Sequence, residues 1–443
     1  MKKIILLALL TLSFDLFAQN NPAITSWLQN TTGIVGRHYV SGNPTPIIDA
    51  VQANVQTVKY DTQNVYVSAT GIPAYITGPF LDNNPSLATA QNKIFKFPLI
   101  PTQNTSTTTN TNGGNIGVFI NGVALFDYRD GVAWNNGTNA LCGGPGNPPC
   151  PGGMGAVQAW NRDAIPAERA GFDCSKAHPA MGNYHHHQNP SAFNLDLQVL
   201  STVCNTYPSD GLYAINPSVH SPLIGFAYDG FPIYGAYAYT NVNGTGAIAK
   251  MKSSYQLSTN TTRTSGPAVS ATYFNGYFRE DYVFVSNLSD PTYLDVHNGR
   301  FCITPEYPNG IYCYFATVDA NYNSAYPYVV GPTFYGNKVA TVVTTIPAGT
   351  TAYLSNDTSD LNRIKVTISP NPATDFIAIQ TDFLENDLKV ELIDELGKTI
   401  INSKIIQGST LHIIETDAIY NGLYFVKISN GKNSNSYKVL IKK

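Results

Sequence analysis

The chain has 443 residues, more than one ordinary domain uses, so two or three domains are expected. Only 12% of residues are charged, about half of the roughly 25% usual for soluble domains, and the net charge is −3 with no basic stripe, which excludes a nucleic-acid reader. Hydrophobic content of 43%, with 20 Phe and 28 Tyr, suffices for a sizeable core and excludes global disorder.

Lys2-Lys3, the apolar run Ile4 to Leu12 and the small residue Ala18 before Gln19 read as a secretory signal peptide, residues 1–18. The run is about half of the ~20 residues a membrane span needs, and no other long apolar run occurs, so the exported chain is expected to lack a transmembrane segment. From about residue 20 to 345 the pattern is strand-like. Val55–Val58, Val65–Val67, Gly117–Phe126, Ile224–Tyr228 and Tyr282–Val285 are β-branched or aromatic runs, parted by Asn-Gly and Asp-Gly pairs such as Asn121-Gly122 and Asp229-Gly230. Helical periodicity is weak, with Gln158–Arg169 the best candidate. The stretches Gln103–Gly114 and Gly143–Gly155 read as loops. All six cysteines, Cys142, Cys150, Cys174, Cys204, Cys302 and Cys313, lie in the exported part and are expected as disulfides. Sequence proximity suggests 142–150, 174–204 and 302–313, among the 15 connectivities that six cysteines allow.

Charge density changes near residue 362. Residues 362–443 hold 10 Lys/Arg and 9 Asp/Glu, 19 of 82 residues or 23%, against 10% for the 361 residues before them. A Thr-, Ser-, Asn- and Asp-rich stretch, Thr350–Leu361, separates the two regimes and marks a domain boundary. Beyond it Phe376–Ile379, Lys389–Ile393, Leu411–Ile414, Leu423–Ile428 and Tyr437–Ile441 alternate as short strands at the spacing of a sandwich. The blocks Ser369-Pro370-Asn371-Pro372-Ala373, Leu396-Gly397-Lys398, Asn421-Gly422-Leu423-Tyr424-Phe425-Val426-Lys427 and Lys438-Val439-Leu440-Ile441-Lys442-Lys443 resemble a type A sorting domain of the type IX secretion system. That resemblance implies export across an outer membrane by the type IX machinery, acting on residues 362–443, to a secreted or cell-surface location.

Seven of the eight histidines precede this boundary, and four of those fall between 178 and 187. If Tyr184–Gln188 is extended, His185 and His187 share one face while His186 points the other way. Same-face positions are roughly 6.5–7 Å apart at Cα, close enough for two imidazoles to share one metal ion. A third ligand must come from elsewhere; His178, His220, Asp229 and Glu306 are available, with the two histidines preferred. Neutral imidazoles favour copper or zinc. The competing reading is a buried polar network in which the histidines only brace the fold. Asp229, inside Asp229-Gly230-Phe231-Pro232, reads first as a turn former, and Arg300 as a partner of Asp295 or Glu306. There is no G-x-S-x-G elbow, H-E-x-x-H helix or Walker A loop, so common hydrolase and nucleotide chemistry is unsupported.

The same segment resembles the signature of the YHYH-domain family, read as Tyr184-His185-His186-His187, with His186 where the family has its second Tyr. Gly117–Asp127, Ala227–Gly235, Leu294–Arg300, Thr304–Gly310 and Tyr312–Phe315 resemble further blocks of that family in order. The resemblance spans about residues 115–330 and implies the domain, not a reaction. The expected architecture is therefore all-β. It comprises the signal peptide, an N-terminal β-rich part (19–114), a disulfide-stapled YHYH domain (115–345), a linker (346–361) and a small Ig-like β-sandwich sorting domain (362–443). Two functions are compatible with it. One is a transition-metal site built on His185 and His187 with His178 or His220. The other is a surface recognition or adhesion module for a glycan or another surface protein, with aromatic rings as its contact groups.

Overall fold

The computed structural model describes residues 21–82, 86–152, 158–191, 201–208, 216–287, 289–339, 342–353, 366–381, 387–406, 408–430 and 434–443. The signal peptide and residues 354–361 of the expected linker lie outside them. The described residues are 42% strand and 5% helix, all-β as expected. It divides into two units between Tyr353 and Leu354. Among the described residues no helix is long and apolar enough to cross a membrane.

The first unit is built on two antiparallel-rich sheets sharing one core. A five-stranded sheet runs in the order Val342–Val343, Lys93–Pro98, Asn64–Ala69, Val55–Tyr60 and Thr351–Tyr353. Its last strand occupies part of the stretch expected as linker: Thr351, Ala352 and Tyr353 face Tyr60, Lys59 and Val58, because β-formers there meet an unpaired strand edge. The hairpin joining its central strands is an Asx turn, in which Asp61 Oδ1 accepts from the N–H of Gln63 (2.8 Å) and Asn64 (2.7 Å). The rings of Trp27, Phe97 and Phe226 meet with centroids 5.3–6.0 Å apart, so residues before and after position 115 share a single core.

The second sheet has eight strands. Four of them position the site: β1 (Asn115–Phe119), β2 (Ala124–Phe126), β3 (Ala177–Ala180) and β4 (Asn183–His186). The order is β3-β4-β2-β1, then Leu223–Ala227, Pro232–Tyr234, Ile311–Phe315 and Gly299–Cys302. The run Gly117–Phe126 is divided into two strands at the Asn121-Gly122 turn. Gly122 has φ +82°, and a Cβ there would stand 2.4 Å from Ala69 Cβ, so only glycine fits. The expected helix contracts to α1 (Ala164–Glu168), extended by a 3₁₀ turn, Arg169–Gly171. Asp163 caps it, its Oδ1 accepting from Ile165 N–H at 2.9 Å, and the residues just before belong to a strand, Asn161–Asp163.

Two of the expected disulfides are present, Cys142–Cys150 and Cys174–Cys204. Cys302 and Cys313 are instead buried thiols in contact with each other but not bonded. The hairpin register sets Cys302 against Ile311 and Cys313 against Arg300, so the two are diagonal rather than opposed.

The second unit is a two-sheet sandwich. Three strands (Val366–Ser369, Phe376–Thr381, Leu411–Glu415) form one sheet, and four (Thr399–Ile405, Leu388–Asp394, Gly422–Ser429, Ser434–Ile441) form the other. Alternate residues of the strands, Ile377 and Ile379, Val390 and Leu392, Val426 and Ile428, Val439 and Ile441, are fully buried between them.

Candidate metal centre

The β3–β4 hairpin turns at Met181-Gly182, both with positive φ (49° and 84°), as a two-residue hairpin loop requires. Ala180 then pairs with Asn183, and by the same register His178 lies directly opposite His185. Parallel pairing of β4 with β2, His185 against Ala124 and His186 against Leu125, fixes the hairpin to the sheet. His187 follows two residues after His185 on its face. Backbone pairing alone thus delivers three imidazoles to one place.

The hydrogen bonds set their tautomers. His185 Nδ1 donates to the Asn183 carbonyl (2.9 Å) and His187 Nδ1 to the Asp127 carbonyl (2.5 Å). In the neutral rings each Nε2 is therefore a bare lone pair, and the two Nε2 atoms stand 3.1 Å apart. His178 has no hydrogen bond on either ring nitrogen, although both are buried. One donor nitrogen from each of His178, His185 and His187 lies within 4.8 Å of the others, so the triad is a donor set suited to a metal ion.

A fourth donor completes the cluster. Glu168, at the end of α1, places Oε2 3.2 Å from His178 Nε2 and 3.1 Å from His187 Nε2. Both separations are within ion-pair reach, yet Oε2 is aligned with neither as a hydrogen bond. The groups face one another across a short gap. Aromatic rings wall the cluster: Phe126 stacks on His185 at 3.7 Å, and Phe172 meets His178 edge-on at 5.1 Å.

Burial and mutual charge shape the titration. Burial, then His187 and His178, push the His185 imidazole well below its ordinary range. Burial also lowers His187, but Glu168 outweighs it and the net shift is upward. Burial would raise the Glu168 carboxyl; His187 and His178 together override that and hold it below the usual carboxylate range.

The other sequence candidates lie elsewhere. His220 is not in the cluster: it packs against Tyr234 and Tyr239, its Nδ1 donating to the Ser221 carbonyl at 2.8 Å. Asp229 braces the fold, its Oδ2 accepting from Tyr314 Oη–H (2.5 Å) and Gly336 N–H (2.8 Å). Glu306 accepts from Tyr234 Oη–H at 2.8 Å. Arg300 pairs with neither Asp295 nor Glu306; its guanidinium donates to the carbonyls of Tyr239, Thr240 and Pro291. Tyr228, Tyr234, Tyr237, Tyr312 and Tyr314 are buried in the core. His186, on the opposite face of β4, donates from Nδ1 to the Lys176 carbonyl (3.2 Å) and accepts at Nε2 from Tyr75 (2.8 Å). Burial pushes its imidazole down to about 3, so it is a neutral core residue. Glu168 escaped the sequence reading because no local spacing links it to the histidines.

Comparison with known proteins bears on the whole chain. The family described as YHYH protein matches residues 94–327, and the secretion system C-terminal sorting domain matches residues 367–442. No curated protein matches. Partial likenesses among solved structures include a DUF3244 family protein with an immunoglobulin-like β-sandwich fold from Bacteroides vulgatus. It is 10% identical, with 18% of this chain and 96% of that chain covered and a TM-score of 0.15. Another is PorZ, a surface component of the type IX secretion system of Porphyromonas gingivalis. That structure is 12% identical, with 91% of this chain and 53% of that chain covered and a TM-score of 0.16. The sorting-domain match marks the chain for the type IX machinery and for secretion to the cell surface. The chain belongs to the YHYH protein family and ends in a type IX secretion sorting domain.

Proposed function

We propose that the exported YHYH domain binds one transition-metal ion, copper or zinc, through His178, His185 and His187 with Glu168 as fourth donor. A signal peptide at residues 1–18 delivers the chain to the periplasm before the sorting domain takes it outward. The observation that carries the metal reading is the convergence of donor nitrogens whose only free electron pairs face one another. Donors 2.0–2.1 Å from a tetrahedral ion stand roughly 3.3–3.4 Å apart. Three of the separations, 3.1, 3.1 and 3.2 Å, lie close to that value, and the three imidazole donors lie within 4.8 Å of one another, so the set has only to adjust around the ion. Imidazole nitrogens with one carboxylate oxygen suit zinc or copper better than magnesium or calcium, which take oxygen ligands.

The bracing alternative, with a glycan or surface protein as the partner, expects every histidine to be satisfied by protein groups. His186 meets that description, but His178 does not. The test is metal content by mass spectrometry on the exported protein, purified without a His tag, beside the His185→Ala, His187→Ala double variant. About one equivalent of copper or zinc in the parent and none in the variant supports the proposal. A parent that cannot be loaded with either metal ends it.

A further inference from the structure

We infer that Glu168 is the exchangeable donor of this centre, and that the centre takes up a carboxylate-sized anion in the place Glu168 vacates. The inference rests on the metal reading above and adds the class of ligand the ion would bind. Three observations separate Glu168 from the histidines. The first is anchoring: His185 and His187 are pinned through Nδ1 to backbone carbonyls, and His178 and His185 sit on paired strands of the eight-stranded sheet. Glu168 stands at the end of a five-residue helix, where α1 passes into a 3₁₀ turn. Among the described residues, no group outside the cluster hydrogen-bonds to its Oε2.

The second is access. The side chains of His187 and His178 are 3% and 7% exposed, and that of Glu168 is 22% exposed. The third is the wall: Phe126 stacks on His185 and Phe172 meets His178 edge-on, so aromatic rings cap the histidines and none of these contacts involves Glu168. A ligand approaching the ion therefore meets Glu168 first. The carboxylate is anionic and held at one oxygen, so another small anion replaces it without a change of charge at the ion. The space it leaves is that of a carboxylate, which sets the size of the entrant: formate, acetate, bicarbonate or azide.

Cobalt(II), whose visible spectrum reports its ligands, provides the test on the full exported chain. Azide and acetate are titrated into the cobalt-loaded wild type, Glu168→Ala and Glu168→Gln. In the wild type azide must compete with the tethered carboxylate, so its apparent affinity is reduced by the fraction of time Glu168 is bound. Glu168→Ala is expected to bind azide roughly tenfold or more tightly, and acetate should return its spectrum toward that of the wild type. Equal azide affinity in wild type and Glu168→Ala, or an acetate-insensitive spectrum in a variant with native circular dichroism, overturns the inference while leaving the metal site standing. If Glu168→Ala does not fold, Glu168→Gln decides, since its amide is a weaker competitor and must shift azide affinity the same way. Failure of the wild type to bind cobalt(II) overturns the metal reading and this inference together.

Discussion

Replacing His178 by leucine should stabilise the metal-free protein and destabilise the metal-loaded one relative to wild type. Without an ion, both His178 nitrogens are buried with no hydrogen bond. Each unmet buried polar group costs about 1–3 kcal/mol. Leucine removes that cost at similar volume. It also removes the 3.2 Å contact with Glu168, whose side chain is 22% exposed and whose loss costs about 1 kcal/mol or less. The net gain is at least about 1 kcal/mol in the presence of a chelator. Zinc or copper at about 100 times its Kd adds about 2.7 kcal/mol to the wild type and nothing to a variant that has lost the site. The order of stability therefore inverts between chelator and metal. Urea unfolding of both proteins in EDTA and in excess zinc measures the two differences. A variant that loses more than about 1 kcal/mol in EDTA would show that His178 braces the fold, and would refute the reasoning.

Other consequences follow from the same structure. His186→Ala should lower stability by about 2–3 kcal/mol by removing its bonds to Tyr75 Oη and the Lys176 carbonyl and leaving a cavity in the core, with metal stoichiometry unchanged; loss of metal would mean that both faces of β4 serve the site. Burial pushes the Asp229 carboxyl up to about 6, against hydrogen bonds from Tyr314, Gly336 and Phe231 that lower it. The folded protein therefore holds that proton more tightly than the unfolded chain. The associated stability is fully present below about pH 4 and declines by about 3 kcal/mol as pH rises through about 6. Asp229→Asn should flatten this component, so the deficit of the variant relative to wild type shrinks between pH 4 and pH 7; parallel profiles contradict it. Thiol titration of the unfolded, unreduced protein should find two reactive cysteines, Cys302 and Cys313; none would mean that the third bridge forms.

The all-β class, the charge change near residue 362 and the alternation of the sorting domain were legible because each is a local property of residue type. Val390 and Leu392 point inward because a strand has a period of two. The pairing of His185 with His187 was legible for the same reason. Choosing His178 over His220 required the hairpin register, and the two-residue turn at Met181-Gly182 carries that signal: it sets Ala180 against Asn183 and hence His178 against His185. The third cysteine pair stands as two unbonded thiols, because nearness in sequence says nothing of register, which sets Cys302 and Cys313 on a diagonal. Glu168 was not legible at all. Its contact with His178 depends on how α1 folds back against the hairpin, a tertiary arrangement that no spacing encodes.

X-ray absorption at the metal edge, on the exported protein as isolated and after loading, tests the central claim most directly. The account predicts about one ion per chain with three imidazole nitrogens and one carboxylate oxygen at roughly 2.0–2.2 Å, and no such ion in His178→Leu. An ion coordinated only by water and backbone oxygens, or imidazole scattering that persists when His178, His185 and His187 are all replaced, would contradict it.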